Sequence, residues 1–131
     1  MPISPAEGVT LVVGVADMTE ALSFYGQLFG RPPDFVLDED FQEYEVLPGM
    51  WYQLTTRVPP GRARRVRFGV ADIAAERRAL IEQGIEVSEI SGKAGVVGWC
   101  QFRDPFGNPL GLFQDLAIYP DPGLLESPVP E

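Results

Sequence analysis

The tetrapeptide Gly-Val-Ala-Asp occurs twice in this chain, at residues 14–17 and again at residues 69–72. Each copy closes a run rich in β-branched residues, 9–15 in the first case and 66–70 in the second, and opens a stretch with helical spacing. Identical residues in matching contexts indicate that one strand–helix unit has been duplicated. The chain must therefore fold by using one motif twice.

The first copy predicts a strand, a helix and three further strands. Residues 9–15 are nearly all apolar, as expected of a strand that is covered on both faces. Asp17 followed by Glu20 has the spacing of a capping box, with Asp in place of Ser or Thr, and Gly30 is a helix stop signal. The three further strands are predicted at residues 34–37, 41–47 and 51–57.

The second copy predicts the same β-α-β-β-β order. Asp72 is expected to cap a helix that ends at Gly84, and residues 91–95 are expected to form a flexible loop. The turn at 104–108 contains Pro and Gly and predicts a hairpin. The strands are predicted at residues 65–70, 85–90, 96–103 and 109–114.

The bulk properties favour one globular domain. A chain of 131 residues with 45% hydrophobic residues can bury a core without a metal or disulfide. Its apolar runs are only as long as strands, so we expect no membrane span. Its first residues lack a signal-peptide pattern, and Cys100 has no second cysteine with which to form a disulfide. We therefore expect a cytoplasmic location. The prolines at the C-terminal end predict a tail that wraps a surface or a partner.

The formal net charge of −9 argues against nucleic acid or an anionic membrane as the main partner. One basic cluster, formed by Arg62, Arg64, Arg65 and Arg67, has two interpretations. It could bind an anionic ligand, or it could be a solvated linker that neutralises the acidic run at 38–45.

Two segments of the chain resemble the vicinal oxygen chelate superfamily, which includes glyoxalase I, bleomycin-resistance proteins and extradiol dioxygenases. The segment VADMTEALSFY at residues 15–25 is similar to the superfamily's "V-x-D-x-x-x-A-x-x-F-Y" pattern, and FRDPFGNPL at 102–110 is similar to its "F-R-D-P-D-G-N" hairpin. The resemblance implies an α+β fold in which two tandem βαβββ modules form a curved mixed sheet, usually as a homodimer. The modules would span about 8–57 and 63–116 of a single domain, with a linker at 58–62 and a Pro-rich tail at 117–131.

In metal-using members of the superfamily, the ligands come from the first and last strands of each module. Carried onto this chain, the resemblance places those positions at Thr10, Gln53, Arg65 and Gly111, and none of them is His or Glu. The chain contains no histidine at all. Zinc, nickel and ferrous iron normally need imidazole, thiolate or carboxylate ligands, so we expect no metal and no cofactor.

Strand alternation predicts which side chains line the cup of the sheet. If Leu54, Leu110 and Leu112 face the helices, and Cys100 is core, the intervening residues face the cup. The aromatic residues among them could equally fill the interior of the sheet or a dimer interface. The predicted ligand-binding residues are Thr10, Val12, Trp51, Gln53, Arg65, Arg67, Trp99, Gln101 and Phe113.

Catalytic groups are harder to identify. Cys100 has no histidine to activate it and is better explained as an apolar filler. Glu43 and Glu45 could act as acid and base if buried, although beside Asp38 they resemble a solvated edge.

Three functions remain open from the sequence. The first is a binder of a small, planar or aromatic molecule in a cup-shaped pocket that lacks the usual metal. The second is an enzyme of the superfamily, a lyase, isomerase or dioxygenase, with atypical metal ligands. The third is an interaction module whose cup is filled by its own side chains.

Overall fold

A computed structural model describes residues 7–125 of the chain. Within them, two helices and eight strands follow the order β-α-β-β-β twice. The first module consists of β1 (Val9–Gly14), α1 (Met18–Phe29), β2 (Phe35–Asp38), β3 (Phe41–Leu47) and β4 (Met50–Thr55). The second module consists of β5 (Val66–Gly69), α2 (Ile73–Glu82), β6 (Ser91–Lys93), β7 (Val97–Arg103) and β8 (Pro109–Asp115).

Each module has its own four-stranded mixed sheet. The strand order is β1-β4-β3-β2 in sheet one and β5-β8-β7-β6 in sheet two, and in each the first and last strands of the module pair in parallel. The predicted α+β fold and the duplication are confirmed, with two sheets in place of one. The chain divides into two compact units: the first runs to Arg64 and includes Asp104–Asn108, and the second holds Arg65–Arg103 and the residues from Pro109 onward.

Both helices begin where the repeated aspartate predicts. The carboxylate of Asp17 accepts a hydrogen bond from the Glu20 amide at 2.9 Å, and that of Asp72 accepts one from the Ala75 amide at 3.0 Å. Each bond satisfies one of the amides that a helix leaves unpaired in its first turn. At the other end of α1, Gly30 has a φ of 71°, the left-handed conformation that terminates a helix.

The predicted strand at 85–90 is wrong, and the short strand β6 lies in the segment that was expected to be a loop. The backbone of Ser88 donates to the Gln101 carbonyl at 2.9 Å, but the return bond, from the Gln101 amide, goes to the Ser88 hydroxyl. Because a side chain replaces the backbone carbonyl, the ladder is interrupted there. Backbone pairing then resumes between Ser91 and Trp99.

The core beneath sheet one is aromatic. Tyr25 of α1 is fully buried, and its ring packs against those of Phe29 and Tyr52, at centroid distances of 5.9 and 5.2 Å. The hydroxyl of Tyr25 donates to the Asp104 carboxylate at 2.7 Å and lies 2.9 Å from the Tyr52 hydroxyl. Burial, followed by the neighbouring Tyr52 and Asp104, raises the pKa of Tyr25 far above its usual value. This phenol therefore stays protonated and remains a donor.

The turn at Asp104–Asn108 is fixed by buried hydrogen bonds to the first unit. Asp104 also accepts the backbone amides of Phe106 and Asn108, each at 2.9 Å. The Asn108 side-chain amide donates to the Gly14 carbonyl at 2.7 Å, and its oxygen accepts the Gly61 amide at 2.8 Å. The aspartate and asparagine of the hairpin motif are therefore structural residues, and the half-buried Phe106 lies between them.

The ends of the chain are described in part. Residues 117–125 contain turns without a helix or strand, as their prolines predicted, and Leu124 and Leu125 lie beside Gly98 of β7. Residues 1–6 and the part of the predicted tail beyond residue 125 lie outside the described residues. Neither helix in the described range is long and apolar enough to cross a membrane.

Replacing Tyr25 with Phe should lower the free energy of unfolding by about 2 kcal/mol, because the buried Asp104 carboxylate loses a donor. The matched control is Tyr44→Phe, since the hydroxyl of Tyr44 is buried in the described structure without a hydrogen-bond partner. That change should leave the stability unchanged or raise it by up to about 1 kcal/mol. Urea denaturation of both variants measures the difference, and equal losses would contradict the assignment.

Candidate functional site

One face of sheet one is covered by α1, and the opposite face is open within its own unit. Val13, Tyr52 and Leu54 are buried on the covered side. Strand alternation places the residues between them on the other side, where Val12 is 48% exposed. This surface, which we call open face one, carries four of the predicted ligand-binding residues: Thr10, Val12, Trp51 and Gln53.

The expectation that β1 is covered on both faces is wrong for the single chain, because Thr10 and Val12, on the face away from α1, are exposed. Within open face one, Thr10 lies opposite Trp51, and Val12 lies opposite Gln53. On its other side Gln53 lies opposite Glu43, and its side-chain amide donates to the Glu43 carboxylate at 2.8 Å.

Glu43 was missed as a candidate ligand-binding residue. The sequence interpretation favoured a solvated edge for Glu43 and Glu45, but Glu43 is half-buried on open face one, whereas Glu45 is exposed. The turn at Pro48-Gly49 did not reveal this pairing, because the register shifts between Glu45 and Leu47, and only that shift brings Glu43 opposite Gln53.

Sheet two repeats the arrangement. Cys100, Phe102, Leu110 and Leu112 are buried on the side of α2, as predicted. The alternate residues form the opposite surface, which we call open face two. It contains the other predicted residues of the strands: Arg67 of β5, Trp99 and Gln101 of β7, and Phe113 of β8. Arg65 immediately precedes β5 and donates to the Leu110 carbonyl at 2.5 Å.

Two glycines form the floor of open face two. A β-carbon at Gly69 would lie 2.8 Å from the Phe113 ring, and one at Gly111 would lie 3.1 Å from the Arg67 side chain. Phe113 and Arg67 therefore lie over the glycines that pair with them across the sheet. Trp99 is the residue opposite Phe113 on its other side, so the two aromatic residues are neighbours in register.

The basic cluster divides between the two units. Arg62 and Arg64 are exposed in the connecting segment. Asp38, in the acidic run that this cluster was expected to neutralise, forms its ion pair with Arg57 at 2.6 Å. The pKa of Arg65 is lowered, first by desolvation and then by the positive charges of Arg103 and Arg67.

The side chains at the four inferred metal positions do not fit a transition metal. Gln53 is engaged with Glu43, Arg65 is a cation, and the side chain of Arg67 covers Gly111. In the part of the chain that the structure describes, no group of three or more His, Cys, Asp or Glu residues could hold a metal ion.

Comparison with known proteins identifies the fold. No family model matches the sequence, and no curated protein matches it. Solved structures do match, among them a glyoxalase/bleomycin resistance protein from Catenulispora acidiphila, with 23% identity, a TM-score of 0.68, and coverage of 83% of this chain and 98% of that one. TnmS3, described as an antibiotic binding protein from Streptomyces sp. CB03234, has 23% identity, a TM-score of 0.68, and coverage of 88% and 98%.

The chain has the glyoxalase/bleomycin-resistance fold. A second protein from the same Streptomyces strain, a glyoxalase/bleomycin resistance protein, agrees at 22% identity and a TM-score of 0.63, over 80% of this chain and 97% of that one. The resemblance seen in the motifs is therefore confirmed for the fold. In this glyoxalase/bleomycin-resistance fold the predicted site residues are grouped on two open faces, and their role in binding stays a prediction.

Cys100 should behave as a core residue of this fold, because it is fully buried and burial raises the pKa of its thiol. We expect 5,5′-dithiobis(2-nitrobenzoate) to label Cys100 at least about a hundredfold more slowly in the native protein than in 6 M guanidinium chloride, where the thiol is accessible. Labelling at the same rate in both conditions would reopen its assignment as a nucleophile.

Proposed function

We propose that this chain is a glyoxalase/bleomycin-resistance-like protein that binds a small, planar or aromatic molecule in a cup-shaped pocket without the usual metal. The observation that carries the proposal is the aromatic pair on open face two. Trp99 and Phe113 lie opposite each other in register, and both are only half-buried. Aromatic residues that serve only the core would be expected on the covered face, beneath α2.

The neighbours of this pair support a binding surface. Gly69 leaves the space that the Phe113 ring occupies, so the ring can lie close to the sheet. Gln101 and Gln53 add polar groups on open faces two and one. Aromatic walls with a few polar groups are the usual composition of a small-molecule site.

The structural neighbours are consistent with a binding role. TnmS3 is described as an antibiotic binding protein. At 23% identity this likeness carries the fold and supports binding as the class of function, without indicating which molecule this chain binds.

One observation favours the alternative of an enzyme with atypical metal ligands. The Glu43 carboxylate is half-buried on open face one, beside Gln53. A carboxylate is an oxygen ligand of the type that Mg²⁺ accepts. Elemental analysis of the purified protein separates the two functions, because stoichiometric bound metal together with turnover would favour the enzyme.

Replacing Trp99 with Leu should weaken the binding of planar aromatic compounds by about tenfold or more, because a stacking surface is lost. The compounds are first selected from a panel by thermal shift, and their dissociation constants are then measured by calorimetry. Trp51→Leu is the matched control: if the aromatic pair of open face two carries binding, this variant should retain most of the affinity. A panel that stabilises neither the parent protein nor the Trp51 variant would contradict the proposed function.

We also propose a homodimer, with β2 as part of its interface. β2 is the last strand in the order of sheet one, and three consecutive apolar residues are exposed on it: Phe35 at 50%, Val36 at 54% and Leu37 at 61%. An exposed apolar edge strand is a site at which another chain can pair, and a second copy of this chain would cover it.

Val36→Lys should shift the protein toward monomer and raise the dimer dissociation constant at least about tenfold, because a charge would be buried at the interface. Ile118→Lys is the control, since Ile118 is 66% exposed and lies outside the sheets. Sedimentation velocity measures both variants. A parent protein that is monomeric at all concentrations would refute the dimer.

The cytoplasmic location and the absence of nucleic-acid and membrane partners stay predictions from composition.

A further inference from the structure

Three aromatic residues lie around one carboxylate on open face one. The strand registers place Phe35 of β2 and Gln53 of β4 directly opposite Glu43, one on each side. Trp51 precedes Gln53 by two positions on β4, and Phe41 precedes Glu43 by two positions on β3, so both share the face of Glu43. Neighbours two positions apart on a strand, or diagonal across a ladder, lie roughly 7 Å apart, within reach of long and aromatic side chains.

The Glu43 carboxylate is oriented by one hydrogen bond and has room for more. Within residues 7–125, the donor found to this carboxylate is the side-chain amide of Gln53, at 2.8 Å. A carboxylate can accept roughly four hydrogen bonds, so acceptor positions remain for a bound donor. Because Glu43 is half-buried, its attraction for a cation is screened less by water and salt than that of a fully exposed carboxylate.

The charge of this face is negative. The four strands of sheet one contain no lysine or arginine. Arg31 precedes β2 and is paired with Asp34 at 2.9 Å. Arg57 follows β4 and is paired with Asp38 at 2.6 Å. Glu45 adds a second, exposed carboxylate to the face, so a cation is the ligand that complements it.

The aromatic residues favour an organic cation over a metal ion. Mg²⁺ needs an octahedral shell of oxygen ligands, which the faces of aromatic rings cannot supply. An ammonium group, by contrast, is attracted both by a carboxylate and by the faces of aromatic rings. The apolar part of the same molecule would cover the exposed side chains of Val12 and Phe35, which lie at the two ends of the row that contains Glu43.

We propose that open face one binds an organic ammonium ion, with its charge on Glu43 and its apolar part against Trp51 and Phe35. The diagonal spacing of roughly 7 Å between Glu43 and Trp51 suits an aryl-alkyl amine, in which a short carbon chain joins the ring to the nitrogen. This site goes beyond the proposed function, which depends on the aromatic pair of open face two.

The site is tested with 2-phenylethylammonium and 2-phenylethanol, which have the same ring and chain but differ in charge. Isothermal titration calorimetry at pH 7 should show that the parent protein binds the ammonium at least about tenfold more tightly than the alcohol. Glu43→Gln should reduce this ratio to about one by weakening the ammonium alone. Glu43→Asp keeps the charge and should retain part of the preference.

The matched control is Glu20→Gln, which removes the same charge from an exposed position on α1, the helix that covers the opposite face of sheet one. It should leave the ratio unchanged. Circular dichroism establishes that each variant is folded, and sedimentation velocity that its oligomeric state is that of the parent protein.

Two tryptophan variants locate the bound ammonium. Trp51→Leu should weaken its binding about threefold or more, because a ring face beside the charge is lost. Trp99→Leu, on open face two, should leave its affinity unchanged. Equal losses in the two variants would move the ligand away from open face one, which overturns this site and leaves the proposed function intact.

Other outcomes would also overturn the ammonium site. One is equal affinity of the parent protein for both probes, or binding of neither at millimolar concentration. Another is an equal effect of Glu43→Gln and Glu20→Gln, because attraction to overall charge would then explain the preference. Displacement of the ammonium by millimolar MgCl₂ at constant ionic strength would assign Glu43 to a metal instead. None of these results bears on the binding of neutral planar compounds through Trp99, which is measured separately.

Discussion

Within residues 7–125 each sheet is covered by one helix of its own, and the alternation of buried and exposed residues along the strands follows from that constraint. Side chains alternate between the two faces, so burying Tyr52 and Leu54 under α1 necessarily places Trp51 and Gln53 on the other side. The same rule in the second module buries Leu112 and turns Phe113 outward. The polar and aromatic residues of the open faces are therefore ordered by the packing of the core.

Much of this arrangement could be predicted because it depends on short-range patterns. The caps at Asp17 and Asp72 follow from residue type and spacing. The segment at 85–90 was predicted incorrectly because its apolar residues suit a strand, while its pairing is decided by the Ser88 hydroxyl. Local sequence gives no indication of which group will bond to a given strand amide.

Long-range hydrogen bonds were the least predictable features. Tyr25 and Asp104 are far apart in the sequence, and each belongs to one of the two motifs that resemble the superfamily. The sequence motifs indicated that both residues are characteristic of the fold, but only the folded structure shows that their side chains form a hydrogen bond. Both side chains are buried in a hydrogen-bonded core. This contact explains why the motifs indicate the fold of the chain more directly than the ligand or reaction at its site. Glu43 was overlooked for the same reason, because its partner Gln53 lies on the next strand.

Two modules with identical strand order now carry open faces of different character. Open face one presents Glu43 bonded to Gln53, whereas open face two presents Arg67 lying over Gly111. Each sheet buries residues under its own helix. A repeated strand order therefore presents two surfaces of opposite charge, one with a carboxylate and one with a guanidinium.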